Sequence, residues 1–437
     1  MKHLLKRSLL LVALLGIVGC TMSPPVNDGQ AQSGQIVLAA SDESRVTNPE
    51  VPSEDLAALI EGNQAFALDL YHYLAQISDG DLFLSPHSIT AALAMTYAGA
   101  RGETEAEMAE TLHFNLPQDR LHPAFNALDQ ALSQRGEGAE GKDGEGFRLH
   151  IVNALWGQKD YEFQQAFLDV LARNYGAGLR LVNFIEDAEA ARQTINEWVS
   201  DQTEGRIEDL IPQGALDALT RLVLTNAIYF NAAWAEPFEE RQTEQAPFYL
   251  LDGTTVEVPM MHQTTPFDYA AGEGYQAVAL PYDGHELSMV ILLPDTGEFT
   301  EFEQSLDSET LTAILEDFER QRLILSMPRF EMRSKFSLTD ALTALGMPTA
   351  FTEEADFSGM TGNRELMITD VFHQAFVSVD EEGTEAAAAT AVVVGLTSAM
   401  PGEPVEMTID RPFIFLIRDN QTGAVLFVGR IFNPAAE

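Results

Sequence analysis

Between Asp55 and Gln76 apolar side chains recur at helical spacing. Leu56, Leu59, Ile60, Phe66, Leu68, Leu70 and Tyr73 mark the pattern, which predicts an amphipathic helix. From Asp79 onward the chain reads as a short apolar strand, a turn at Pro86, a small-residue helix over Ile89 to Tyr97, and an acidic segment opening at Gly102. The alanine content of that second helix predicts burial. Farther along, residues 147–158, 221–234, 246–263, 275–294 and 322–330 are dominated by Val, Ile, Tyr and Phe, with Asp-Gly turns between some of them, and read as strands. Helical patterns fill residues 187–205 and 334–347. Helices weighted toward the front and strands toward the back, without regular βαβ alternation, predict an α+β fold with large, mostly antiparallel sheets.

One stretch fits neither pattern. "EEGTEAAAATAVVVGLTSAMPGEP", residues 381–404, begins with a run of alanines that favours helix and ends in valines, glycine and prolines that do not. Read as a strand, it puts Thr384, Ala386, Ala388, Thr390, Val392 and Val394 on one face, and that face carries no charge and nothing large before the valines. Such a segment can enter the middle of a sheet without stranding a charge inside it.

Composition narrows the classes. Lys and Arg total 25 against 67 acidic residues in 437, a net charge of −42, so nucleic acids and heparin-like polyanions are unfavourable partners. The acidity itself reads as a solubility adaptation. Of the basic residues after the acidic segment, only Arg120, His122 and Arg135 stand in the region where a polyanion would be expected, and they are scattered. No nucleophile motif, phosphate loop or paired metal-ligand spacing is present, so the chain does not read as an enzyme and implies no cofactor or metal. His113, His122 and His150 read as surface or edge residues rather than ligands.

The first twenty residues join Lys2, Lys6 and Arg7 to an apolar run too short for a membrane span and end at Cys20, the only cysteine. They resemble a bacterial lipoprotein signal, with "IVGC" as the site at which Cys20 takes a lipid; an ordinary secretory signal with an incidental cysteine is the alternative. A sole cysteine leaves no internal disulfide. Residues 21–52, rich in Ser, Pro, Asn, Gly and Gln, read as a flexible tether, and the folded domain is expected over 53–437. Residues 134–146, charged and glycine-rich, read as a surface loop. The chain is thus expected to be exported, anchored by lipid to the cell envelope or extracellular, and monomeric.

The blocks "FLSPHSITAALAMTYAGARGETEAEM", "LTNAIYFNAAWAEPF", "MPRFEM", "FHQAFVSVDEEGTEA" and "RPFIFLIRDNQTGAVLFVGRIFNP", with the hinge-like "EEGTEAAAAT", resemble the serpin family over nearly the whole chain, from about residue 54 to Pro434. The resemblance implies a suicide inhibitor of proteases. A protease attacks an exposed reactive loop, here about residues 381–404, and forms an acyl ester; the freed loop then inserts as a new central strand and distorts the tethered enzyme.

By resemblance, Glu381, Glu382 and Gly383 form the hinge base, and Thr384 to Thr390, including Ala386 and Ala388, the inserting segment. Ser85, Ser88, Asn226 and His373 match the shutter beneath the sheet, and Trp234 the breach where insertion begins. The family's spacing puts the reactive bond between Thr397 and Ser398, with Leu396 or Met400 as alternatives because the stretch before "RPF" is slightly long. None is basic, so a trypsin-like target is disfavoured against an elastase-, chymotrypsin- or subtilisin-like one. A non-inhibitory chaperone, carrier or storage role, or a cysteine protease as target, are the alternatives.

Overall fold

The computed structural model describes residues 36–136, 148–384 and 403–436, without the side chains of residues 148–150 and Tyr229. Cys20, Ala386, Ala388, Thr390, Leu396, Thr397, Ser398 and Met400 lie outside the described residues.

The first half alternates long helices with strands. It runs β1 (Val37–Ala39), α1 (Ser53–Ile77), β2 (Leu82–Leu84), α2 (Pro86–Tyr97), α3 (Gly102–Thr111) and α4 (Gln118–Ser133). Then come β3 (Arg148–Gln158), α5 (Gln165–Tyr175), β4 (Leu179–Val182), α6 (Phe184–Gln202) and β5 (Leu222–Ala233). A strand-rich half follows: β6 (Glu244–Tyr249), β7 (Thr255–Gly272), β8 (Tyr275–Pro281) and β9 (Leu287–Pro294). Two short helices, α7 (Phe299–Ser305) and α8 (Ser308–Glu316), precede β10 (Glu319–Pro328) and β11 (Phe330–Ser337). After α9 (Thr339–Leu345) and α10 (Ser358–Thr361) the chain closes with β12 (Asp370–Val379), β13 (Gly383–Thr384), β14 (Val405–Thr408), β15 (Phe413–Asp419) and β16 (Val425–Ile431).

Two large sheets result. One has the order β1-β4-β3-β5-β13-β12-β11; the other runs β14-β10-β7-β8-β9-β15-β16-β2, with β6 paired to β7. Most pairings are antiparallel, as the α+β reading expects, but β3–β4, β5–β12 and β10–β14 are parallel. Buried apolar side chains from the helices and both sheets form the main core, among them Phe66, Tyr71, Phe83, Phe230, Phe415 and Phe427. A second cluster, with Trp156, Phe184, Ile195 and Val199, seats α6 against the first sheet.

Local corrections have identifiable causes. Pro86 does not make a turn; it is the first residue of α2, where its missing N–H has no partner to lose, and the Ser85 side chain accepts from the Ser88 N–H at 3.3 Å as the cap. Residues Ser334–Ser337, expected as helix, end β11 instead because their backbone pairs with β12. The tether reading of residues 21–52 fails for its described part. Val37–Ala39 pair with β4, and residues 41–48 bond to α4 and α5, because an exposed strand edge and helix side chains offer partners that composition does not reveal.

Candidate functional site

Two features of the first sheet bring the predicted residues together. The lower one is a polar row crossing the middle of the sheet. His373 on β12 sits opposite Asn226 on β5, and Asn226 sits opposite Asn153 on β3. Beneath them α2 begins, with Ser85 and Ser88, and all of these except Asn153 are fully buried.

Hydrogen bonds fix the protonation of this row. The Ser85 backbone N–H donates to His373 Nε2 at 3.2 Å, so that nitrogen is bare and the proton is on Nδ1, which donates to Asn226 Oδ1. His373 is therefore neutral, and burial holds its pKa down at about 3. Asn226 Nδ2 in turn donates to Ser88 Oγ and to Asn153 Oδ1, each at 2.6 Å, and Asn153 Nδ2 donates to the Ser88 carbonyl at 3.1 Å. The Ser85 hydroxyl donates to the Leu426 carbonyl at 2.7 Å, which ties the row to the second sheet. Asn153 is the member that sequence reasoning missed. A polar residue inside "HIVNALW" was the available signal, but only the strand register puts it beside Asn226.

The upper feature lies at the end of the slot between β5 and β12. These strands pair directly from Val223 to Tyr229 and from Asp370 to Phe376, then part, and β13 enters between them. Thr384 pairs with Val379 on one side and Ala232 on the other, while Gly383 pairs with Ala233. A Cβ on Gly383 would fall inside the van der Waals contact distance of the Ala232 carbonyl, so only glycine passes at this point. The turn that delivers the strand is made by Asp380, whose carboxylate accepts from the N–H groups of Glu382 at 2.8 Å and Gly383 at 3.2 Å.

Trp234 closes the top of the slot. Its backbone N–H donates to the Glu382 carbonyl at 2.8 Å, its indole N–H donates to the Asp380 carbonyl at 3.0 Å, and its ring stacks on Tyr282 at 4.7 Å. The Thr384 hydroxyl points inward, fully buried, and lies 2.8 Å from the Tyr282 hydroxyl. Burial pushes the Tyr282 phenol far above its ordinary pKa, so this contact joins two neutral hydroxyls. Glu381, buried beside Trp234, accepts from Arg329 and Thr243. Burial pushes its carboxyl up, but those donors outweigh burial and hold it below the usual range.

Other expected residues lie elsewhere. His113 pairs with Asp69 at 2.7 Å. His122, expected at the surface, is buried: the apolar stripe of α4 turns inward, and His122 Nδ1 meets the Tyr175 hydroxyl at 2.8 Å, with burial lowering its pKa to about 4. Arg120 is paired with Asp55, and Arg135 with the buried Asp419 at 2.7 Å. Neither arginine is free to meet a polyanion.

The family model described as Serpin (serine protease inhibitor) matches residues 61–434. Leukocyte elastase inhibitor A of Rattus norvegicus is 41% identical over 387 residues, covering 86% of this chain and 99% of its own. An uncharacterised serpin-like protein of Thermococcus kodakarensis is 40% identical over 378 residues, 86% of each chain. Antithrombin-III of Mus musculus is 37% identical over 397 residues, 88% of this chain and 84% of its own. Among solved structures, human thyroxine-binding globulin complexed with thyroxine superposes with a TM-score of 0.78 at 31% identity, covering 87% of this chain and all of that one. The chain belongs to the serpin family, a family described as serine protease inhibitors and not as enzymes.

Proposed function

We propose that this serpin inhibits a serine protease as a suicide substrate. The observation that carries the reading is the lodging of Gly383 and Thr384 between β5 and β12, with Thr384 facing inward. The sheet accepts the start of the loop as an extra antiparallel strand and remains directly paired below it. Continuing the same register, Thr390 lies six residues beyond Thr384 and falls six residues back from both Ala232 and Val379, at Asn226 and His373. Full insertion therefore separates those two side chains and substitutes a threonine of the same inward face as Thr384. Val394 then arrives opposite Leu222, the first residue of β5, so Leu396, Thr397 and Ser398 emerge just past the far end of the strand. An acyl ester formed there is carried the length of the sheet, roughly 3.4 Å per residue along the twelve-residue β5.

Thr397, with Val394 nearby, suits the small pocket of an elastase, and the name of the rat relative points the same way. Leu396 or Met400 suits a chymotrypsin- or subtilisin-like pocket. Incubating the purified chain with elastase, chymotrypsin, subtilisin and trypsin is expected to give a complex with one of the first three that survives denaturing electrophoresis. The N-terminus of the released C-terminal peptide identifies the reactive bond among Leu396, Thr397 and Met400. Clean cleavage without any complex would favour a non-inhibitory carrier or storage role.

We also infer export and attachment to the cell envelope through a lipid on Cys20, with the inhibitor shielding envelope proteins from proteases outside the cell. The support is the basic, apolar, cysteine-terminated leader. Cys20→Ala is expected to shift the protein from the membrane fraction to the soluble one; unchanged membrane association would overturn the anchor.

A further inference from the structure

The segment from Ile36 to Asn48 lies before the first residue of the family match, yet it is bonded along its length to the body of the protein. At one end Val37, Leu38 and Ala39 pair antiparallel with Leu181, Arg180 and Leu179, extending the first sheet beyond β4. A Cβ on Gly178 would lie 2.8 Å from the Ala39 carbonyl, so the approach is close. At the other end the segment crosses α5 and α4. Ser41 donates to Asp169 at 2.5 Å, Glu43 pairs with Arg173 at 3.0 Å, and the Val46 N–H donates to the Arg173 carbonyl at 2.9 Å. Arg45 reaches Asp129 at 2.5 Å and Asn126 Oδ1 at 2.8 Å.

Asn126 is fully buried on α4 and shares its amide with this segment: Oδ1 accepts from Arg45 as well as from Gln130, each at 2.8 Å, and Nδ2 donates to the Val46 carbonyl at 2.8 Å and to the Arg173 carbonyl at 3.4 Å. The segment supplies the shorter of the two Nδ2 bonds and a charged donor to Oδ1, so its contact reaches a buried polar group and is more than a drape over the surface.

Its mechanical consequence follows from the strand order. The slot between β5 and β12 divides the first sheet into β1-β4-β3-β5 on one side and β12-β11 on the other. Widening that slot along its whole length moves one side relative to the helices. The segment ties the outer strand of the larger side to α4 and α5 at once, so that side cannot shift without breaking either the β1–β4 pairing or the Arg45 and Asn126 bonds.

We propose that residues 36–48 act as a clasp that holds the sheet closed and slows spontaneous insertion of the uncleaved loop. This rests on the reading of the sheet as one that accepts the loop, and it adds the element that times the event. The occupant of the β4 edge is the chain's own N-terminal segment.

The test uses the full chain with Arg45→Asp, with the charge-swapped pair Arg45→Asp and Asp129→Arg, and with Leu38→Pro, which strikes the opposite end of the clasp. Each is incubated at 37 °C, and the fraction of loop still cut by subtilisin is followed with time alongside the thermal melting profile. Freshly prepared Arg45→Asp and Leu38→Pro are expected to be cut like the wild type and then to lose cleavability at least tenfold faster, passing to a more heat-resistant form. The charge-swapped pair, which restores the ion pair but not the bond to Asn126, is expected to recover part of the wild-type lifetime, and Leu38→Pro to lose it without touching α4. Equal lifetimes in all four proteins, including no conversion in any, would overturn the clasp. Complex formation by the fresh wild type with a protease is read separately: a chain that forms none but converts in a clasp-dependent way would overturn the inhibitory reading and keep this one.

Discussion

Thr384→Arg is expected to turn the proposed inhibitor into a substrate: the protease cuts the loop, and little or no covalent complex survives. Thr384 is fully buried between β5 and β12 with its hydroxyl against Tyr282. A guanidinium in that place would be an unpaired charge among apolar neighbours, with a penalty of several kcal/mol. Under the proposed mechanism inhibition is a race between insertion and deacylation, and each ~1.4 kcal/mol added to the insertion barrier slows it about tenfold. The variant's hinge is therefore expelled from the slot at rest and must re-enter it on insertion; if half of a penalty of about 5 kcal/mol reaches that barrier, partitioning shifts toward cleavage by roughly two orders of magnitude. The conservative Thr384→Ser keeps a hydroxyl for Tyr282 and is expected to inhibit nearly normally. The readout is the number of inhibitor molecules consumed per protease molecule inactivated. Wild-type stoichiometry in Thr384→Arg would contradict the inward assignment of this face.

The second large effect is expected at His373. Its ring bridges the Ser85 N–H on one side and Asn226 Oδ1 on the other, so His373→Ala leaves a buried donor and a buried acceptor without partners and opens a cavity the size of an imidazole. A loss of about 3–5 kcal/mol is expected, read as a lower urea midpoint at pH 7.5. The pH dependence separates this cause from simple loss of packing. In the folded protein His373 titrates at about 3 against an ordinary value of 6.5, so below pH 6.5 the unfolded chain takes up a proton that the folded chain refuses. Stability is therefore fully present above about pH 6.5 and is lost as the pH falls toward 3, by about 1.4 kcal/mol per pH unit for this residue. His122, held at about 4, adds a similar slope over its own range. His373→Ala starts lower but should decline less steeply between pH 6 and 4. Parallel slopes in wild type and variant would show that His373 does not carry the acid sensitivity.

The hinge and the row beneath it were legible to different depths. The alternation of small uncharged residues from Thr384 onward is a property of the chain alone, because side chains of an extended segment take opposite faces whatever surrounds them. Ser85, Ser88, Asn226, His373 and Trp234 could be named from their resemblance to family blocks, yet nothing in those blocks says which atom meets which. Asn153 shows the limit: it stands 73 residues from Asn226, and only the β3–β5 register makes them neighbours. Tyr282 was missed for the same reason, since its stacking on Trp234 and its contact with Thr384 join three distant parts of the chain.

The segment before α1 failed in the opposite direction. Ser, Pro, Asn and Gly signal weak intrinsic structure, and that signal is local. Val37–Ala39 form a strand because β4 presents an unpaired edge, and residues 41–48 are held because Asn126, Asp129, Asp169 and Arg173 are aligned to receive them. His122 was misjudged likewise: a histidine on a helix is polar by composition, and whether it faces solvent depends on which side of α4 meets its neighbours.

By itself the sequence determined the α+β class, the strong net negative charge, the basic and apolar opening stretch that ends at the single cysteine, and a segment one face of which is small and uncharged. These depend on periodicity, charge and residue size, which act over a few neighbours or over the chain as a whole. The tertiary structure alone decided that the slot between β5 and β12 already holds Gly383 and Thr384, that His373 is neutral and bridges the cap of α2 to β5, and that an N-terminal segment fastens the sheet edge to the helices. Each of those is a pairing between residues tens to hundreds of positions apart, whose free energy exists only once folding has brought both partners out of water.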